Sequence, residues 1–149
     1  MMKPRISFPC YVARPGGLRL GLGHLNECFW TVHVWNSLKG VQMQPGMDDQ
    51  TLGCCSCNKK AYRRAGHIRR NEVLALGTIH LSKTHVGSEV VSHEACHAAY
   101  RTWLHYSGWF FRRKATDLNH IKIEEALCWL EGWYMRQIVQ HLYDAGLLK

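Results

Sequence analysis

The chain has 149 residues, 46% of them apolar and six of them tryptophan, enough to bury the core of one ordinary domain and too apolar for a disordered tail. No apolar run reaches the roughly 18–20 residues of a membrane-spanning helix, and the opening MMKPRISFPCYVARPGG lacks the continuous apolar stretch of a signal peptide. Lys and Arg outnumber Asp and Glu by 19 to 11, a formal +8, which favours loose attraction to nucleic acid or acidic proteins and says nothing about fold.

Residues 1–27 read as irregular and glycine-rich. Gly21-x-Gly23 hints at a phosphate loop, but position 26 is Asn and no strand pattern precedes it, so a dinucleotide site is rejected. Residues 28–46, CFWTVHVWNSLKGVQMQPG, predict two strands about a turn near Asn36–Gly40, because β-branched and aromatic residues dominate. TLGCCSC, 51–57, reads as a short strand or a knuckle. Next comes a basic segment, NKKAYRRAGHIRR (58–70), with Lys59, Lys60, Arg63, Arg64, Arg69 and Arg70. It is a candidate phosphate contact, although a solvated helix or loop surface explains it as well, since only Tyr62 interleaves the charges.

NEVLALGTIHLSK (71–83) ends in strand-like alternation, with Leu76, Thr78 and His80 on one side and Ile79 and Leu81 on the other. A helix follows over 88–107. Ser88 is its expected N-cap, Glu89 suits the first turn, and Gly108 is the expected stop. After a connection, 119–147 predicts a second long helix anchored by Trp129, Leu130, Trp133, Ile138 and Leu142. Strands, then helix, then helix predict a single α+β domain: a small antiparallel or mixed sheet, then the two helices.

The first of these helices contains SHEACHAA. His93 and His97, four apart, lie on one face about one turn from each other, so both imidazoles can offer a nitrogen to one ion. Glu94 points about 100° further round, placed to reach water on the metal rather than the metal itself. Zinc lowers the pKa of such water toward about 7, and a nearby carboxylate can take its proton. The competing explanation is two histidines hydrogen-bonded on a helix face. A catalytic zinc takes three protein ligands and leaves one position open. HIKIEEALCWLEG offers Glu124 and Glu125 for the third; dipole compensation at a helix N-terminus accounts for one of them. An inward face carrying Glu125, Cys128, Trp129 and Gly132 favours Glu125, while Glu124 competes and His120 would give a three-histidine site.

A strand, an HExxH helix, a connection and a glutamate-bearing helix together resemble the zincin metallopeptidases, specifically the gluzincins with a glutamate ligand. SHEACHAA followed by EEALCWLEG is similar to small zincin-like proteins encoded by bacteriophages and prophages. The matching motifs cover only about 93–132. The resemblance implies a zinc-dependent hydrolase, with one Zn2+ on His93, His97 and a glutamate, and Glu94 as catalytic base. Its substrate would be a peptide or protein, in the cytoplasm of a bacterium or an infected host. The metzincin extension is absent, since Tyr100 and Trp103 stand where it needs glycine and histidine. Zincins hold substrate against an edge strand, which points to backbone groups of 76–82, Gly77 and Ile79 among them. Tyr100, Tyr134, Arg136 and His141 are candidates to stabilise an oxyanion. The alternative is a non-catalytic binding protein on the same scaffold, contacting nucleic acid or an acidic host protein through 58–70.

The seven cysteines are an odd, irregularly spaced set, best read as free thiols in a reducing compartment. Cys54-x-x-Cys57 is half of a structural zinc site without a matching second pair. Cys96 and Cys128 read as small buried hydrophobes.

Overall fold

A computed structural model of the chain describes residues 2–12, 27–63, 73–106 and 120–148. Four strands form one sheet: β1 (Ile6–Tyr11), β2 (Phe29–Trp35), β3 (Gly53–Cys57) and β4 (Ala75–Ser82). Two short helices, α1 (Leu38–Gln42) and α2 (Lys59–Arg63), interrupt them. The helix α3 (Ser88–Arg101) runs on into a π-helical turn, Thr102–Tyr106, and α4 (His120–Asp144) closes the fold. The sheet order is β1-β2-β4-β3. β1 and β3 pair antiparallel with β2 and β4, while β2 and β4 are parallel. The architecture is therefore α+β with a mixed sheet.

Alternation along the strands sorts the two sheet faces. Trp30, Val32 and Val34 of β2 are fully buried and share a core with Ile79 and Leu81 of β4 and Ala95, Ala98 and Ala99 of α3. Small alanines let α3 approach closely, and α4 joins the same core through Leu130, Tyr134, Ile138 and Leu142. Ala126 is buried on that stripe too, so the inward residues of α4 recur every four positions, as a helix buried on one side requires. Trp35, Val41 and Cys54 form a smaller cluster of their own.

One buried hydroxyl ties three elements together. Thr102 accepts from Trp30 Nε1 at 3.0 Å and from the Tyr134 hydroxyl at 2.9 Å, and donates to the Ala98 carbonyl at 2.7 Å. One donor and two lone pairs are thereby used in full.

Several expectations need correction. The region expected to be irregular contains β1, whose partner strand lies beyond residue 28; 13–26 lies outside the described residues. The second strand expected within 28–46 is the helix α1, since the chain leaves the sheet after Trp35. Gly87, not Ser88, is the N-cap of α3, so no side-chain hydrogen bond caps it. Gly108, the expected stop, lies outside the described residues, as do residues 64–70 of the basic segment. Leu76 is buried with Ile79 and Leu81 rather than opposite them; the register between β2 and β4 shifts at Phe29/Trp30, and such a shift breaks simple alternation. Trp129 is 52% exposed instead of anchoring α4. Among the described residues no helix is long and apolar enough to cross a membrane.

Candidate functional site

His93, Glu94 and His97 all lie on α3, and the helix presents them differently. The two histidines are exposed, whereas Glu94 falls on the buried stripe with Val91, Ala95 and Ala98. The imidazoles converge: Nε2 of His97 lies 3.1 Å from Nε2 of His93, with the rings nearly perpendicular at 85°. Two nitrogens on a tetrahedral ion at about 2.0–2.1 Å are about 3.3 Å apart, so the pair fits two corners of such a shell. A single shared proton between the rings explains the same distance. Burial lowers the pKa of His97, assisted by the neighbouring His93 and Arg101 charges; a neutral imidazole is the form that binds a metal.

Glu94 is only 3% exposed, and its Oε2 has no hydrogen-bond partner among the described residues. Burial pushes its carboxyl pKa up, and the charges of His93 and Arg101 oppose the rise. An unsatisfied buried oxygen costs about 1–3 kcal/mol, so it marks a place where a partner is missing. The carboxylate packs against Gly53, the first residue of β3. A Cβ built there would meet Val90 Cγ1 at 2.9 Å and Glu94 Oε1 at 3.0 Å, so only glycine allows the strand this close.

A groove of about 390 Å³ opens at this point, lined by residues 51–53 with Glu89, Val90, His93 and Glu94. Its wall is the free edge of the sheet. Asn58 N–H donates to the Leu76 carbonyl at 2.7 Å, and hydrogen-bonded pairs in an antiparallel ladder fall on every second residue. Cys54 and Ser56 therefore turn their backbone groups to β4, while Gly53, Cys55 and Cys57 turn theirs outward. The Arg101 guanidinium bonds the outward Cys55 carbonyl.

Gly77 and Ile79, expected to bind substrate at an edge, are instead in the interior strand β4, paired with Trp30 and Val32 of β2 and with Cys57 and Cys55 of β3. Their backbone has no open side. Gly77 is glycine because the Trp30 ring and the Ser56 carbonyl occupy the space of a Cβ. The sheet edge beside them is β3. An isolated glycine in the strand-like TLGCCSC was the available signal for Gly53; Arg101 carried none.

Neither Glu124 nor Glu125 is brought to the histidine pair. Glu124 and Glu125 are exposed, and Glu125, Cys128, Trp129 and Gly132 line a solvent-facing groove of about 370 Å³ with Trp133 and Arg136. The stripe through Ala126, one residue on, is the one that faces the core. Among the described residues no group of three or more His, Cys, Asp or Glu is arranged to hold a metal ion. The side chain of His120 lies outside the described residues. Among the described residues the histidine pair thus offers two of the three donors that a catalytic zinc takes. Among the described residues Cys54 and Cys57 gain no metal partners either, and both are thiols outside any disulfide. Cys96 and Cys128 are exposed rather than buried.

Of the oxyanion candidates, Tyr134 is fully buried in the Thr102 network, where burial raises its pKa. His141 stacks on Phe8 with ring centroids 4.3 Å apart, and Arg136 borders the Glu125 groove. Tyr100 is 52% exposed. A comparison with family models, curated proteins and solved structures finds no match to this chain.

Proposed function

We propose that the chain is a zinc-dependent hydrolase of zincin type, acting on peptides. The observation that carries this reading is the convergence of the His93 and His97 nitrogens beside a buried carboxylate with an unpartnered oxygen. His93 and His97 would hold the ion. Bound zinc would polarise a carbonyl and acidify water. Glu94 would take a proton from the attacking water and pass it to the leaving amine; its burial makes it a stronger base than an exposed carboxylate. The outward backbone groups of Gly53 in the groove, and of Cys57 further along β3, would offer an extended peptide a strand to pair with.

Metal content of protein purified without added metal tests the reading. Wild type and Glu94→Gln should carry stoichiometric zinc, His93→Ala none, and only wild type should hydrolyse a peptide pool. Zinc-free wild-type protein refutes it.

The second reading is a binding protein without catalysis. It is favoured by the lack of a third ligand among the described residues and by the exposed Lys59 and Lys60 of α2. Binding to nucleic acid that weakens steeply with salt, in protein that never hydrolyses, would establish it.

A further inference from the structure

We propose that Arg101 is the residue that selects substrate, by reading a carboxylate on the bound peptide; this rests on the hydrolase reading of the same groove. The argument begins with where the side chain is held. Arg101 follows His97 by one turn and His93 by two, so it continues the line of the two imidazoles along α3. Its guanidinium is fixed by its bond to the Cys55 carbonyl, an outward group of the edge strand. Cys55 lies two residues beyond Gly53, roughly 7 Å at about 3.4 Å per residue. A peptide laid along β3 with its reacting bond beside Glu94 therefore brings a residue about two positions away under Arg101.

The bond to Cys55 uses one donor of the five a guanidinium carries. No other hydrogen bond or ion pair involving Arg101 is found among the described residues. The free oxygen of Glu94 is not bonded to it. Among the described residues Arg101 is thus a cation without a paired carboxylate, held on the edge strand two residues beyond the Gly53 that lines the groove, whose own carboxylate is buried. Planar bidentate pairing with a carboxylate is what guanidinium geometry suits best. The same bond already occupies one lone pair of the Cys55 carbonyl, so strand pairing with substrate is weaker at that position and the charge adds to recognition there.

The carboxylate has two sources. A peptide antiparallel to β3 presents an acidic side chain on the N-terminal side of the reacting bond, and a parallel one presents its own C-terminus. Antiparallel pairing is the more stable of the two, which favours the acidic side chain.

Fluorescein-labelled randomised decapeptide pools separate these cases, with binding followed by anisotropy on Glu94→Gln protein so that nothing is cleaved. One pool contains Glu, one has Gln in its place, and each is made as free acid and as amide. The Glu pool should bind at least about tenfold more tightly than the Gln pool, with the amide making no difference. An acid-over-amide preference without a Glu preference would assign the C-terminus instead. In the added Arg101→Gln variant the preference should vanish, and in Arg101→Lys survive in part, with zinc content unchanged in both. Equal binding of all pools by the parent protein, or a preference that persists in Arg101→Gln, overturns the proposal without need of any other variant. Zinc with no charge preference sinks Arg101 alone. A preference in zinc-free protein sinks the hydrolase and leaves Arg101 as the reader of a peptide-binding groove.

Discussion

Replacing Thr102 by Val should destabilise the protein far more than its size suggests. The substitution keeps the shape of the side chain and removes a hydroxyl that makes three hydrogen bonds, to Trp30, Tyr134 and Ala98. The Ala98 carbonyl keeps its helical environment, since the Thr102 backbone N–H also points to it. The Trp30 Nε1–H and the Tyr134 O–H are left as donors in a fully buried core. Each unsatisfied donor costs about 1–3 kcal/mol, so the loss should be roughly 2–5 kcal/mol. For a domain near this length, each kcal/mol lowers Tm by about 2–4 °C, predicting a fall of roughly 4–20 °C. Thermal unfolding followed by near-UV circular dichroism reads this directly through the tryptophans. Tyr134→Phe alone should cost only about 1 kcal/mol, because it removes a donor and leaves an acceptor lone pair. In the double variant Thr102→Val/Tyr134→Phe one orphan disappears, so the two losses should combine to less than their sum. If Thr102→Val lies within about 0.5 kcal/mol of wild type, the network does not hold α3 to the sheet and α4 as described.

Gly53→Ala should separate folding from chemistry. The new Cβ meets Val90 and the Glu94 side chain at 2.9–3.0 Å, so strand or carboxylate must shift, at about 1–3 kcal/mol. Displacement approaching 1 Å costs about a hundredfold in turnover; unchanged zinc content with activity within threefold of wild type would contradict this placement of Glu94. Acid sensitivity should trace to His80. Trp35 Nε1 donates to its Nδ1 at 3.0 Å and burial lowers its pKa from 6.5 to about 4, so the folded state resists a proton that the unfolded state accepts. Stability is then full above pH 6.5 and lost as pH falls toward 4. At pH 5 the loss is about 1–2 kcal/mol once solvent screening is allowed for. Urea unfolding at pH 7.5 and 5 should show His80→Gln losing less than wild type; equal losses would place the acid-sensitive group elsewhere.

Local patterns carried the elements, with limits that follow from their range. Helical spacing placed His93 and His97 on one helix face, because four residues of α-helix fix that geometry whatever surrounds it. The same reasoning put Glu125 on the inward face of α4, and there it was one residue out of phase. A helix with Trp129, Trp133, Leu130 and Tyr134 has two apolar stripes, and only docking against the alanines of α3 decides that 126, 130, 134, 138 and 142 go inside. The short α1 reads as a strand in sequence because β-propensity reflects packing on a half-buried sheet, and its residues never join one.

What the sequence by itself determined, then, is the α+β class, the two long helices and the convergence of a histidine pair, all set by contacts within a few residues of chain. Strand order was decided only in three dimensions. β4 has the stronger strand pattern and looked like the accessible one; the pairing of β2 and β3 on either side buries it and exposes β3. Gly53, Cys55 and Arg101 come together through that pairing alone, from segments more than forty residues apart, because hydrogen-bonded ladders and core docking are long-range and leave no periodic trace in the sequence.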